Sequence, residues 1–123
     1  MRYLLLIYGD ESNRPASAGD VDPEVALKPW WEYTAWLKEK GWYLAGDALQ
    51  PTATATTVRQ RNGNVITTDG PFAETKEQLG GYYMIDCEDL DQALEAASRI
   101  PAVERGFSIE ARPIMEFPEG PES

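Results

Sequence analysis

The stretch that decides the fold is Arg2-Tyr-Leu-Leu-Leu-Ile-Tyr8. Strand alternation sets Tyr3, Leu5 and Ile7 on one face and Leu4, Leu6 and Tyr8 on the other. A strand that is apolar on both sides has to be covered on both sides. The apolar run from Tyr3 to Tyr8 is too short for a signal-peptide core or a membrane span, and no small-residue cleavage site follows it. Gly9-Asp10-Glu11 ends the strand, and the small, polar stretch Ser12–Asp22 reads as a loop.

Beyond that loop, Asp22-Pro23-Glu24 has the pattern of an N-cap followed by a first-turn proline. Pro29 then predicts a short turn ahead of a main helix over 29–40, with Trp30, Tyr33 and Leu37 on one face and Thr34 between them. Lys38 and Lys40 complement the helix dipole, and Gly41 suits the left-handed stop. A strand over 42–45 follows. Thr54–Arg61 and Asn64–Thr68 form the arms of a hairpin about Asn62-Gly63, the dipeptide of a type I′ turn. Asp69-Gly-Pro-Phe72 closes the return arm, and Ala73–Leu79 is a polar connector.

Gly80-Gly81 opens the strand Tyr82–Cys87, again apolar on both faces. Asp89 caps a second helix with Gln92 as its capping-box partner, and Leu90, Ala93, Leu94, Ala97 and Ile100 give it an apolar stripe that Pro101 stops. Phe107–Arg112 is the last strand. The order is β-α-β, an inserted hairpin, then β-α-β, which predicts an α+β, ferredoxin-like split βαβ sandwich. With both helices on one side of the sheet, the other apolar face needs a cover. A second copy of the chain, packed sheet to sheet about a two-fold axis, is the expected one. The domain is expected over 1–116, with a frayed Pro-rich tail over 117–123.

Composition narrows the function classes. Eleven basic residues stand against 21 acidic ones, for a net charge of −10. A field of that sign repels nucleic-acid backbones, so direct nucleic-acid binding is not expected. There is no histidine, the commonest general base and transition-metal ligand. The single cysteine, Cys87, forms no internal disulfide, and the chain is expected in the cytoplasm. No metal-ligand cluster and no phosphate-binding glycine loop is visible, and no cofactor is expected.

At Asp69-Gly-Pro-Phe-Ala-Glu-Thr-Lys-Glu-Gln-Leu-Gly-Gly81 the sequence resembles the YCII-related proteins, and among them the DGPF-domain group. The likeness extends to Tyr3–Glu11, Leu49–Arg59, Tyr82–Asp86, Ile100-Pro101 and Ile109–Pro113. It implies a dimeric α+β barrel of ferredoxin-like subunits. Some YCII-type proteins look like enzymes with a His-Asp pair in a pocket, and muconolactone-isomerase-like proteins share the fold. Here only the acidic half of such a pair remains, as Asp69. DGPF-type proteins are often encoded beside, or fused to, extracytoplasmic-function sigma factors, which implies a regulatory partner.

From the residues themselves, Asp69 either sets the turn before Gly70-Pro71 or serves as an acid/base or substrate-orienting carboxylate, with Glu74 as the second catalytic candidate. The pocket of a small-ligand-binding or regulatory domain is expected from Tyr8, Arg59, Asp69, Thr75, Lys76 and Tyr82. Arg59 and Arg61 share a hairpin face, and Glu110 and Arg112 share a face of the last strand, so each is an interfacial ion pair or an anion site. Only one or two of Trp30, Trp31, Trp36 and Trp42 have room in the core. Cys87 is expected as an inert buried thiol. Three roles stand: small-ligand binding or regulation, an isomerase- or lyase-like enzyme, and a sigma-factor partner.

Overall fold

A computed structural model describes residues 1–13 and 22–120. Most of the loop expected over 12–22, and the end of the tail, lie outside the described residues. Six strands are described: β1 (Arg2–Gly9), β2 (Tyr43–Ala48), β3 (Thr56–Arg61), β4 (Asn64–Asp69), β5 (Gln78–Asp86) and β6 (Ser108–Pro113). The two α-helices are α1 (Pro23–Lys40) and α2 (Leu90–Ser98). β2, β5, β1 and β6 form one sheet in that order, all neighbours antiparallel, and β3 and β4 pair only with each other. Each βαβ unit is thus split by a strand of the other. The fold is the ferredoxin-like α+β sandwich with an inserted hairpin.

The local chemistry explains each boundary. The Asp22 carboxylate accepts the Glu24 N–H at 3.0 Å, and Gly41 takes φ +77° at the other end of α1. The turn expected ahead of Pro29 is instead part of α1, which runs unbroken from Pro23. Pro29 lacks the N–H that would bond the Val25 carbonyl, a loss that is tolerable here because Val25 is exposed to solvent. Asn62 and Gly63 both have positive φ, as a type I′ turn demands. Asp89 accepts the Gln92 N–H at 3.0 Å, while the Gln92 side chain returns to the Glu88 N–H at 2.8 Å.

Both helices cover the face carrying Tyr3, Leu5, Ile7, Tyr83 and Ile85. They do so with different side chains. α1 buries Tyr33 and Leu37 and lays Trp30 and Trp36 beside them; α2 buries Ala93, Ala96 and Ala97. The stripe expected for α2 is therefore corrected. Leu90 and Leu94 are about half exposed, at 49% and 50%, and Ala93, Ala96 and Ala97 form the inward face, whose small side chains allow a close helix-to-sheet approach. Of the tryptophans, Trp42 is buried, Trp30 and Trp36 are half-buried, and Trp31 is exposed. Cys87 is buried at the end of β5.

Tyr33 ties the two helices together, its hydroxyl donating to the Ala96 carbonyl at 2.7 Å in the core. Burial, with the Tyr83 phenol adding to it, pushes the Tyr33 phenol up, and burial pushes the Cys87 thiol up. Both groups hold their protons in the folded chain at pH values where the unfolded chain has lost them. Their contribution is therefore complete at neutral pH and falls as pH rises through the unfolded values, roughly 8.5 for thiol and 10 for phenol. Urea denaturation should show stability declining above about pH 9. Tyr33→Phe should lower stability at pH 7 by about 1 kcal/mol, by freeing a buried carbonyl, and should make the alkaline decline shallower. An unchanged alkaline slope would show that Tyr33 does not titrate on unfolding.

Candidate functional site

A cavity of about 330 Å³ lies under the N-terminal half of α1, where the sheet runs out of side chains. On the helix-facing side at this end, β2 offers Gly46 and Ala48, and β5 offers Gly80 and Gly81. The layer above is equally small, with Ala26 on α1 and Ala102 in the 3₁₀ turn Pro101–Arg105. Space remains because neither layer fills it. Trp30, Tyr83, Phe107, Ile7 and Leu27 make the walls, and Arg105 stands at the edge. A largely apolar hollow of this size is what a small organic ligand needs.

Three close approaches fix the shape. A Cβ on Gly46 would lie 2.7 Å from the Tyr83 ring, so glycine there lets that ring approach the β2 backbone. A Cβ on Gly9 would lie 2.3 Å from the Phe107 ring, which therefore rests on bare backbone. A Cβ on Gly81 would lie 3.0 Å from the Asp47 carbonyl. The Tyr83 ring is parallel to Trp30, with centroids 6.5 Å apart and 8° between planes, and meets the edge of Tyr33 at 5.0 Å. The Tyr83 hydroxyl is bonded to Thr34 Oγ1 at 3.0 Å, so this wall is held from α1 as well as from β5. Burial raises the Tyr83 phenol, partly offset by that hydrogen bond, and the group stays protonated at neutral pH.

Asp47 and Tyr82 contribute backbone to this wall. The register pairs them on the opposite face of the sheet, where the Tyr82 hydroxyl donates to Asp47 Oδ2 at 2.8 Å and its own acidity is thereby lowered. Among the described residues, no three His, Cys, Asp or Glu side chains gather as metal ligands would, and no helix is long and apolar enough to cross a membrane.

The profile of the YCII-related domain matches residues 1–118 of this chain. The chain belongs to the YCII-related family. A protein of Rhizobium meliloti (strain 1021), whose name says only that it is uncharacterized, is 38% identical over 121 residues, covering 98% of this chain and 97% of its own. Neither match carries an activity, so the chemistry has to come from the site.

Of the pocket residues expected for this YCII-related chain, only Tyr82 touches the cavity, and by its backbone. Tyr8 lies on the opposite face of β1, paired with Ser108 and Leu79. Arg59 sits on the hairpin, donating to the Phe72 carbonyl at 3.2 Å with its guanidinium 5.7 Å from the Phe72 ring. Asp69 ends β4, exposed, and its carboxylate accepts no hydrogen bond among the described residues; the turn is set by Gly70, whose N–H bonds the Ala55 carbonyl at 2.7 Å. Glu74, Thr75 and Lys76 lie on the exposed connector. There the Thr75 hydroxyl donates to Glu77 O at 2.5 Å, and hydrogen bonds from Ser12, with the Lys76 charge adding to them, hold the Asp10 carboxyl below its usual range. Glu110 and Arg112 form a salt bridge with each other.

Sequence reading missed Trp30, Gly46, Gly81, Ala102, Arg105 and Phe107 as one group. Gly80-Gly81 was the available signal, since paired glycines inside a strand mark a close backbone approach. Gly46→Ala should lower stability by about 1–3 kcal/mol and displace the Tyr83 ring, seen as a change in tryptophan fluorescence from Trp30. A variant as stable as the parent, with unchanged emission, would mean that the ring does not need the missing side chain.

Proposed function

We propose that this YCII-related chain is a homodimeric small-ligand-binding domain whose ligand occupies the cavity between α1 and the glycine-rich end of β2 and β5. The carrying observation is the cavity itself, about 330 Å³ with aromatic walls and a floor from which side chains are missing. Stability alone does not favour such a gap, because an unfilled apolar space weakens a core of this size. Catalysis draws less support. Among the described residues no acidic side chain points into the cavity, and the carboxylates proposed for proton transfer, Asp69 and Glu74, lie on the exposed hairpin end and connector.

Dimerisation is supported by the sheet face that the helices leave uncovered. Leu4, Leu6 and Tyr8 of β1 lie there beside Tyr82 and Met84 of β5, edged by the Glu110–Arg112 pair and the Tyr82–Asp47 bond. An apolar centre with paired charges at its rim is self-complementary across a two-fold axis. The exposed Val58, Val65 and Phe72 of the hairpin and its turn extend the same apolar character beyond the sheet.

Light scattering should give twice the chain mass, and Leu6→Lys, which places a charge at the centre of the open face, should give the single chain mass with helix and strand content retained. A parent protein of single chain mass at 100 μM would remove the dimer from this proposal. For the cavity, indole titrated into isotope-labelled protein should shift the amide signals of Gly81 and Ala102 and the Trp30 side-chain signal. Ala26→Phe, which fills the space from α1, should abolish those shifts. Indole that leaves all three signals unmoved would remove the ligand site.

A further inference from the structure

We infer that the ligand of this cavity is an amphipathic aromatic anion, its ring held among Trp30, Tyr83 and Phe107 and its carboxylate on Arg105; this rests on the ligand-binding proposal. The pairing of the arginines carries the assignment. Arg2 is bonded to Glu116, Arg99 to Glu95 with its guanidinium over the Trp36 ring, Arg112 to Glu110, and Arg59 to the Phe72 carbonyl. Arg61 and Arg105 have no such partner among the described residues, and of these two only Arg105 lines the cavity.

The four lysines, Arg59 and Arg61 likewise have no carboxylate partner among the described residues, but none of them lines the cavity, and Arg105 does. Its nearest acidic neighbour in sequence, Glu104, borders the groove between α1 and α2 together with Tyr33 and Arg99. Asp47 has its carboxylate bonded to Tyr82 on the far side of the sheet. The cavity therefore joins apolar, aromatic walls to one unneutralised guanidinium. A guanidinium presents a planar fork of N–H donors that fits a carboxylate in two parallel hydrogen bonds. Flat walls favour a flat apolar body, since parallel and edge-on ring contacts add to the burial of area. The surrounding negative potential disfavours polyanions such as nucleoside phosphates, whose extra charges would meet no further cation here.

Indole and indole-3-acetate, titrated separately and followed by the Gly81, Ala102 and Trp30 signals, separate the two proposals. Indole-3-acetate should bind about tenfold more tightly than indole, as a charge-assisted hydrogen-bonded pair at a half-open site allows. Arg105→Gln should bring the two affinities within about twofold while leaving indole binding unchanged, and raised salt should weaken only the acetate. Arg105 is exposed, so the fold should tolerate the change, and the parent-like spectrum of the variant checks this. Equal affinities in the parent protein, or a preference for the acetate that survives Arg105→Gln, would overturn the anion assignment and leave the cavity a neutral-ligand site. If neither compound binds, the ligand site itself is wrong.

Discussion

The Tyr83 ring joins the sheet to α1 by several contacts at once. It can approach β2 because Gly46 has no side chain, makes an edge contact with Tyr33, runs parallel to Trp30, and bonds Thr34 through its hydroxyl. Tyr33 in turn reaches the Ala96 carbonyl, so one chain of contacts runs from the sheet through α1 to α2. Aromatic groups suit this position because they carry much apolar area on few rotatable bonds, and the phenol tips find partners inside.

This arrangement makes the two helices unequal. α2 faces the sheet with alanines, whereas α1 faces it with Trp30, Tyr33 and Trp36. Along most of α1 these rings pack on the core. Toward its N-terminal turns the facing residue is Ala26, and the sheet below offers Gly46, Ala48 and Gly81. The cavity is what a run of small residues on both layers leaves unfilled. Phe107, resting on the bare backbone of Gly9, closes its far side.

The fold was legible because its signals are local. The double-faced apolar strand, the Asp22 and Asp89 caps, the Asn62-Gly63 turn and the Gly41 stop each act through neighbours a few residues away. The inward face of α2 was less so, since Leu90 and Leu94 as well as the alanines fit a helical stripe, and only tertiary packing separates them. The site was hardly legible. Attention in Asp69–Gly81 goes to the charged and hydroxyl groups, whereas what this segment gives the cavity is the two glycines at its end. A residue that works by the absence of a side chain leaves no chemical mark in sequence, and Arg105 is distinctive only once the partners of the other arginines are known.

Strand β5 joins the two faces of the sheet through consecutive residues. Tyr83 points into the subunit and walls the cavity, while Tyr82 points away and holds Asp47 on the open face. In the proposed dimer, a ligand that moves the Tyr83 ring would also load the β5 backbone, and a partner subunit seated on the open face would load the same backbone from the other side. Close-packed layers transmit such displacements rather than absorb them. Binding and association need not be separate properties in this architecture, because a shift of β5 that suits one face is felt on the other. The sheet is then the element through which a small ligand could regulate assembly, with no need for the exposed hairpin carboxylates to perform chemistry.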